Sequence, residues 1–163
     1  MNLLMWVVLG LAAAVLGVVV AGQVGAFAGQ PPSGLGLREG NKLKPPSSTP
    51  NSVSSQADLW PDAGQNSTAH IVPLAAVGDR AATMARLRQV AQGTPGARIE
   101  EARDDYLRAT FRTRLMGYVD DAEFWFDPAA NVIQVRSASR VGRKDFGVNR
   151  ERVEAIRRRM AAP

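Results

Sequence analysis

The sequence predicts an α+β domain attached to an N-terminal transmembrane helix. An uncharged apolar stretch occupies residues 3–22, strand-like segments with alternating side chains lie between residues 106 and 140, and a helical pattern stands on either side of them. Alternation of apolar and polar residues is typical of antiparallel strands with one covered and one open face. We therefore expect a two-layer domain, a four-stranded antiparallel sheet with two helices on one face, in the order αββββα.

The first 22 residues are interpreted as a transmembrane anchor. Residues 3–22 carry no charged and no strongly polar side chain, and twenty helical residues at about 1.5 Å each span the roughly 30 Å hydrocarbon core. A cleaved signal peptide is the alternative, because residues 26–28, Ala-Phe-Ala, have the small-x-small form of a cleavage site. The length of the apolar stretch, and the lack of a basic residue before it, favour the anchor.

Composition divides the rest of the chain. Residues 23–58 are rich in Gly, Pro, Ser and Asn, a composition that buries too little apolar surface to offset its ordering entropy. They are predicted to be a flexible linker, and residues 59–163 are predicted to be the globular domain. Every charged side chain lies at Arg38 or later, so the linker and the domain carry all of the charge.

Charge and cysteine content restrict the classes of function. The 163-residue chain has a formal net charge of +5 and no cysteine, which excludes disulfides within the chain and thiolate metal sites. A basic protein suits phosphate, anionic lipid or nucleic acid. Acidic and basic residues interleave, however, and an ordinary mixed surface is the preferred interpretation. Nucleic acid is not expected as a partner.

The helices and strands of the domain are placed by their end signals and periodicity. Asp79 is a predicted helix cap, and Gly93 with Pro95 ends that helix. The last helix is predicted at residues 150–160, with Asn149 as its cap. The four strands are predicted at about residues 98–103, 106–113, 119–127 and 132–140.

The turn at residues 127–131 fixes the pairing of the last two strands. A four-residue loop sets Phe124 opposite Val135, and therefore Asp120 opposite Ser139 on the covered face. This register places small polar side chains at the end of the covered face where the last strand leads into the final helix.

We expect a polar cluster at this end of the sheet. Hydroxyls, guanidinium groups and a helix N-terminus suit a small anion such as phosphate or carboxylate. The alternative, which is preferred, is a buried hydrogen-bond network that pins the following loop onto the sheet. The cluster consists of Asp120, Ser137, Ser139, Asn149 and Arg150, with Arg140 on its rim.

Two other classes of function remain open. A hydrolase would use Asp120 with Ser139 or with His70, the single histidine. Anionic lipid or nucleic acid would bind the Arg-rich surface. The sequence contains no glycine-rich phosphate loop, no zinc-ligand spacing and no nucleophile elbow. A non-enzymatic domain without metal or cofactor is therefore the preferred expectation.

Two stretches resemble a bacterial and plastid family known as domain of unknown function 1499. The first is LKPPSSTPNSVSSQA at residues 43–57. The second extends from the third predicted strand into the last helix. Its matching positions are Gly117, Val119, Asp120, Asp121, Glu123, Phe124, Ile133, Arg136, Ser137, Ser139, Arg140, Gly142, Asp145, Gly147, Asn149 and Arg150.

The resemblance bears on the compartment. The family's first motif carries cysteines at the positions of Pro46 and Ser52, and a disulfide between them would imply an oxidising compartment. Arg38, Lys42 and Lys44 follow the apolar segment and favour a cytoplasmic domain instead. With the family pattern given more weight, we expect a single-pass membrane protein with an extracytoplasmic, periplasmic-side domain. It would serve the cell envelope as a binding or scaffolding module for a small anion or an envelope protein.

Overall fold

The computed structural model describes residues 2–63 and 66–162 and has the expected α+β class, with an apolar N-terminal helix. The helices are α1 (Leu3–Gln23), α2 (Asn66–Ala69), α3 (Arg80–Gln92) and α4 (Val148–Ala161). The strands are β1 (Ser52–Ser54), β2 (Leu74–Ala75), β3 (Ala97–Ala102), β4 (Tyr106–Arg112), β5 (Val119–Asp127) and β6 (Val132–Ser139).

The sheet has six strands in the described part of the chain, and the prediction of four is wrong in this respect. Its order is β1-β6-β5-β4-β3, and β2 also pairs with β6. The two additional strands, β1 and β2, contain only three and two residues. Segments this short show no usable alternation, so periodicity could not reveal them.

The register of β5 and β6 agrees with the prediction. Phe124 lies opposite Val135, and Asp120 lies opposite Ser139. Asn131 adopts a left-handed conformation with φ 52° in the turn, a conformation that asparagine tolerates better than most residues. The local chemistry of the turn therefore sets which side chains meet at the far end of the two strands.

The two longer helices of the domain begin differently from one another. The Asp79 side chain accepts a hydrogen bond from the Ala82 N–H at 2.8 Å, which confirms the predicted cap of α3. The predicted cap of α4 is wrong, because α4 begins at Val148 with Gly147 as its cap residue. Asn149 lies within the helix and is fully buried.

Helices α3 and α4 cover one face of the sheet. Leu87 of α3 and Ile156 of α4 are fully buried in one apolar cluster with Phe124 and Val135. Complete burial of such side chains contributes about 1.5–3 kcal/mol each. The covered face is therefore the main core of the domain.

The opposite face of the sheet is also covered, although the sequence predicts it to be open. Leu43 is fully buried against Tyr106 and Trp125. Residues 43–58 fall in the predicted flexible linker, and that assignment is corrected here, since this stretch packs on the sheet and contributes β1. Isolated leucines among prolines and serines give no periodic signal.

A buried carboxylate lies beneath this covering segment. Glu123 is fully buried, accepts hydrogen bonds from the Tyr106 hydroxyl at 2.9 Å and the Gly36 N–H at 2.6 Å, and lies 3.8 Å from Arg136. Burial, followed by the charge of Glu123 and its hydrogen bond, raises the pKa of Tyr106 above its usual range. Both hydrogen bonds reach Oε1, whereas Oε2 has the charge of Arg136 nearby but no hydrogen-bond partner among the described residues.

The end of α1 is held by the hairpin between β4 and β5. Arg112 donates to the Gly22 and Gln23 carbonyls at 3.0 and 2.7 Å, and so supplies partners for the last turn of the helix. The Gln23 amide donates in return to the Arg114 carbonyl at 2.8 Å. Gly117 has φ 67°, and a Cβ there would lie 2.2 Å from the Gly22 oxygen. Glycine is thus required for this approach.

Helix α1 has the length and composition of a membrane-spanning helix, with a mean hydropathy of 2.8 in its most apolar window. A signal sequence has the same properties, so length and composition alone do not separate the two interpretations.

Candidate binding site

The structure brings four of the six predicted site residues together. Asp120, Ser137, Ser139 and Asn149 meet where β5 and β6 adjoin the first turn of α4. The other two, Arg140 and Arg150, point to different partners. A third arginine, Arg152, occupies the cluster.

Asn149 is the centre of the cluster. Its Oδ1 accepts from the Ser137 hydroxyl at 2.6 Å, and its Nδ2 donates to the Ser139 hydroxyl at 3.0 Å. The same nitrogen donates to the Asn51 carbonyl at 3.1 Å and to the Asp145 carboxylate at 2.9 Å. One buried amide thus connects β6, the segment before β1 and the loop before α4. These bonds form a buried hydrogen-bond network between the sheet and the loop before α4, as in the structural interpretation preferred from the sequence.

Arg152 supplies the positive charge that sequence reasoning assigned to Arg150. Its Nη2 lies 2.5 Å from the Asp120 carboxylate, and its Nη1 donates to Asn149 Oδ1 at 2.7 Å. The guanidinium also lies over the Phe111 ring at 4.7 Å. Residues three apart share a helix face, so the i,i+3 spacing from Asn149 was the signal that could have identified Arg152.

Arg140 and Arg150 are engaged away from the cluster. Arg140 makes two hydrogen bonds to the Asp121 carboxylate, at 2.7 and 3.0 Å, and Asp121 projects to the face opposite Asp120. These hydrogen bonds to a carboxylate stabilise the charged guanidinium and are the main cause of the raised pKa of Arg140. Arg150 donates to the Thr68 and His70 carbonyls at 3.1 and 2.7 Å.

Strands β1 and β6 lie between His70 and Asp120. Its backbone pairs with Ser54 of β1, and its Nε2 lies 3.6 Å from the exposed Asp58 carboxylate. Residue 70, β1 and β6 stand side by side next to β5, and three spacings of about 4.8 Å separate His70 from Asp120 by roughly 14 Å. A direct hydrogen bond between them would need about 3 Å.

A pocket of about 280 Å³ opens beside the cluster. Buried Asp120 and half-buried Ser139 form its inner end, and Phe146, 92% exposed, stands at its mouth. Tyr118 and Val148 contribute apolar wall. The other lining residues are Thr113, Val141, Gly142, Lys144 and Asp145.

The loop before α4 is held in an unusual conformation. Phe146 has φ 54° and Gly147 has φ 88°, and the left-handed region is strained for a bulky residue such as phenylalanine. The Asp145 carboxylate accepts from the Gly147 N–H at 3.1 Å and the Asn149 N–H at 2.9 Å. These bonds hold the first turn of α4 while Phe146 projects into solvent.

The electrostatics of the pocket are set by which charges are paired. Burial by itself raises the pKa of Asp145. The hydrogen bonds from Asn149 and Gly147 together lower the pKa by more than burial raises it, so the pKa lies below the ordinary value. Asp120 is paired with Arg152. Within residues 2–63 and 66–162, no carboxylate lies within 4 Å of the Lys144 amine. Lys144 therefore has no ion-pair partner among the described residues, and neither has the Asp145 carboxylate, which is held by N–H groups instead.

The fold and the pocket define an α+β domain with a hydrogen-bonded polar cluster at one end of its sheet, next to an N-terminal apolar helix. The chain belongs to a family described as protein of unknown function (DUF1499), whose profile matches residues 42–160. This confirms the family resemblance, and the match includes the whole segment, residues 43–58, that covers the second face of the sheet. Neither a curated protein nor a solved structure matches the chain.

Two arginines of α4 provide a matched test of the cluster. Arg152→Met leaves the buried Asp120 carboxylate without its cation and is expected to lower the free energy of unfolding by about 3–5 kcal/mol. Arg150→Met removes only hydrogen bonds to carbonyls and is expected to cost about 1 kcal/mol. Chemical denaturation of both variants measures the difference. Equal losses would contradict the assignment of Arg152 to the cluster.

The lowered pKa of Asp145 predicts a pH-dependent contribution to stability. A carboxyl group whose pKa is lower in the folded than in the unfolded chain stabilises the fold at pH values above the unfolded pKa, about 3.9. That stabilisation is lost as the pH falls through the folded pKa. Asp145→Asn is expected to lower the free energy of unfolding by about 1–3 kcal/mol at neutral pH. The difference in stability between Asp145→Asn and the unaltered protein should become smaller below about pH 3.9. Thermal melts of both proteins across this pH range measure that difference. A difference in melting temperature that stayed constant with pH would refute the role of Asp145.

Proposed function

We propose that this protein is a membrane-anchored, non-enzymatic binding domain whose pocket takes a small amphipathic molecule with an anionic group. The observation that carries the proposal is the composition of the pocket beside Asp120. Tyr118, Phe146 and Val148 offer apolar surface, and Lys144 offers an unpaired positive charge. An apolar cavity with few polar groups is typical of small-molecule sites.

The polar cluster favours binding over catalysis. The Ser139 hydroxyl accepts a hydrogen bond from Asn149, and Asp120 is engaged by Arg152. A serine nucleophile needs a base free to take its proton. The engagement of Asp120, together with the distance of His70, therefore argues against the hydrolase alternative.

Contacts of α1 favour an anchor over a cleaved signal peptide. Gly22 and Gln23 accept hydrogen bonds from Arg112, and the Phe27 ring lies 5.6 Å from the Tyr118 ring. Cleavage after residue 28 would remove all of these contacts. It would expose Tyr118 further and leave the Arg112 guanidinium without these two acceptors. A segment that supports the domain in this way fits a retained helix.

The proposed location is the extracytoplasmic, periplasmic side. The Ser47 N–H donates to the Ser52 hydroxyl at 2.8 Å, so positions 46 and 52 lie close together. The family resemblance places two cysteines at these positions, and this proximity suits a disulfide. An oxidising compartment for the family supports the same compartment for this chain.

The pocket is tested with three probes that separate the contribution of its apolar surface from that of its positive charge. Hexyl phosphate, 1-hexanol and inorganic phosphate are titrated calorimetrically against the full chain in neutral lipid nanodiscs, with empty nanodiscs subtracted. Hexyl phosphate is expected to bind at least about tenfold more tightly than either other probe, since each 1.4 kcal/mol is a factor of ten. Equal affinities for all three, or no binding of hexyl phosphate, would overturn the proposal.

Matched variants assign that binding to the pocket. Lys144→Gln should reduce the preference for hexyl phosphate over hexanol, whereas Lys42→Gln should leave it unchanged. Val148→Phe should block both amphiphiles by filling the cavity. Val77→Phe is its control, because Val77 has nearly the same exposure, 42% against 40%, and does not line the pocket.

The compartment is tested by reporter fusions at the C-terminus. A reporter that is active only in an oxidising compartment is expected to be active, and one that folds only in the cytoplasm is expected to be silent. The apolar segment should remain on the mature protein when its intact mass is measured in membranes. The reverse reporter pattern would refute the proposed side, and a mass lacking residues 1–28 would refute the anchor.

A further inference from the structure

Four large apolar side chains are exposed at this end of the domain. Tyr118, Phe146 and Val148 line the pocket, and Leu115 lies in the adjoining loop between β4 and β5. Leu115 is 61% exposed, Tyr118 40%, Phe146 92% and Val148 40%. Large exposed apolar patches mark interaction sites more often than isolated exposed residues do. We call these four residues, together with Arg114, Arg143 and Lys144, the apolar rim.

Phe146 is the most exposed member of the apolar rim and the most strained. Its left-handed backbone, with φ 54°, costs on the order of 1–3 kcal/mol for a non-glycine residue. Asp145 and the start of α4 maintain that conformation through hydrogen bonds. The fold thus holds an aromatic ring out in solvent at a free-energy cost, which points to a binding partner at this position.

The apolar rim lies at the level where α1 ends. The Gln23 amide donates to the Leu115 carbonyl at 2.9 Å, and Phe27 contacts Tyr118. The turn between β5 and β6, by contrast, lies at the far end of the sheet. β5 contains nine residues, so at about 3.3 Å each that turn lies roughly 25–30 Å from the apolar rim.

The charges of the apolar rim suit an anionic surface. Arg114, Arg143 and Lys144 have no carboxylate within 4 Å in the described part of the chain. A cation near an anionic bilayer contributes about 1 kcal/mol. Aromatic residues are enriched at the same depth, where an apolar ring meets the headgroups.

We propose that the apolar rim is seated in the headgroup layer of an anionic bilayer, with Phe146 inserted and the pocket mouth facing the lipids. The proposal rests on the anchor in the proposed function, because α1 brings the apolar rim to the bilayer surface. It adds the source of the ligand, since a pocket that opens at this depth takes amphiphiles directly from the membrane.

The absence of cysteine from the chain allows a direct test. Phe146→Cys and Leu115→Cys are each labelled with an environment-sensitive fluorophore in the full chain, in nanodiscs containing phosphatidylglycerol. Ala129→Cys, in the exposed turn between β5 and β6, is the matched control. Both rim labels are expected to show blue-shifted emission and loss of fluorescence with lipids that carry a shallow quencher. The control label is expected to show neither.

The composition of the nanodisc separates contact with lipid from contact with a protein partner. Replacing phosphatidylglycerol by neutral lipid, or raising the salt concentration, should weaken the quenching, because screening acts over about 10 Å at 0.1 M salt. Rim labels quenched no more than the control label would overturn the inference. So would a blue shift without lipid quenching, which would indicate that the labels contact protein and not lipid. The Leu115→Cys variant keeps the Phe146 ring, whereas Phe146→Cys removes it. The same quenching of both labels would show that the result does not depend on the loss of that ring.

The unlabelled chain distinguishes failure of this inference from failure of the proposed function. Hexyl phosphate is titrated against it in the same nanodiscs, and intact mass shows whether α1 is retained. Binding and a retained helix, without quenching of the rim labels, would overturn only the seating of the apolar rim. A missing helix would overturn the anchor and the inference together.

Discussion

The buried amide of Asn149 is the constraint on which this end of the domain depends. It connects two hydroxyls of β6, a carbonyl before β1 and the carboxylate of Asp145. A buried polar group left without a partner costs about 1–3 kcal/mol, so the segments around Asn149 stabilise one another. The loop that carries Phe146 and the segment before β1 are both attached to the sheet through this amide.

The same network determines which groups remain available to a ligand. Asp120, Ser137 and Ser139 form bonds inside the protein, and Arg152 balances the charge of Asp120. An anion would have to displace these bonds to enter the cluster itself. The adjoining pocket offers Lys144, which has no acidic partner in the described residues, so the favourable electrostatic contact lies beside the predicted cluster.

The sequence could predict the register of β5 and β6, because the turn of residues 127–131 acts over a short distance along the chain. It could not reveal the role of Leu43, which depends on contacts with β4 and β5 far away in sequence. The helix start was misplaced by two residues, from Val148 to Arg150. Each residue rotates a helix by about 100°, so placing Asn149 outside the helix hid the face that it shares with Arg152.

The junction between α1 and the β4–β5 hairpin bears on how the proposed weak contacts with lipid would become effective. A domain on a flexible linker would sample many orientations, and each contact worth about 1 kcal/mol would have to overcome that freedom. Arg112 and Gln23 join the end of α1 directly to the hairpin. The orientation of the apolar rim is then set by the fold. In the proposed seating, its contacts with the bilayer would be intramolecular in effect and would act at a high effective concentration.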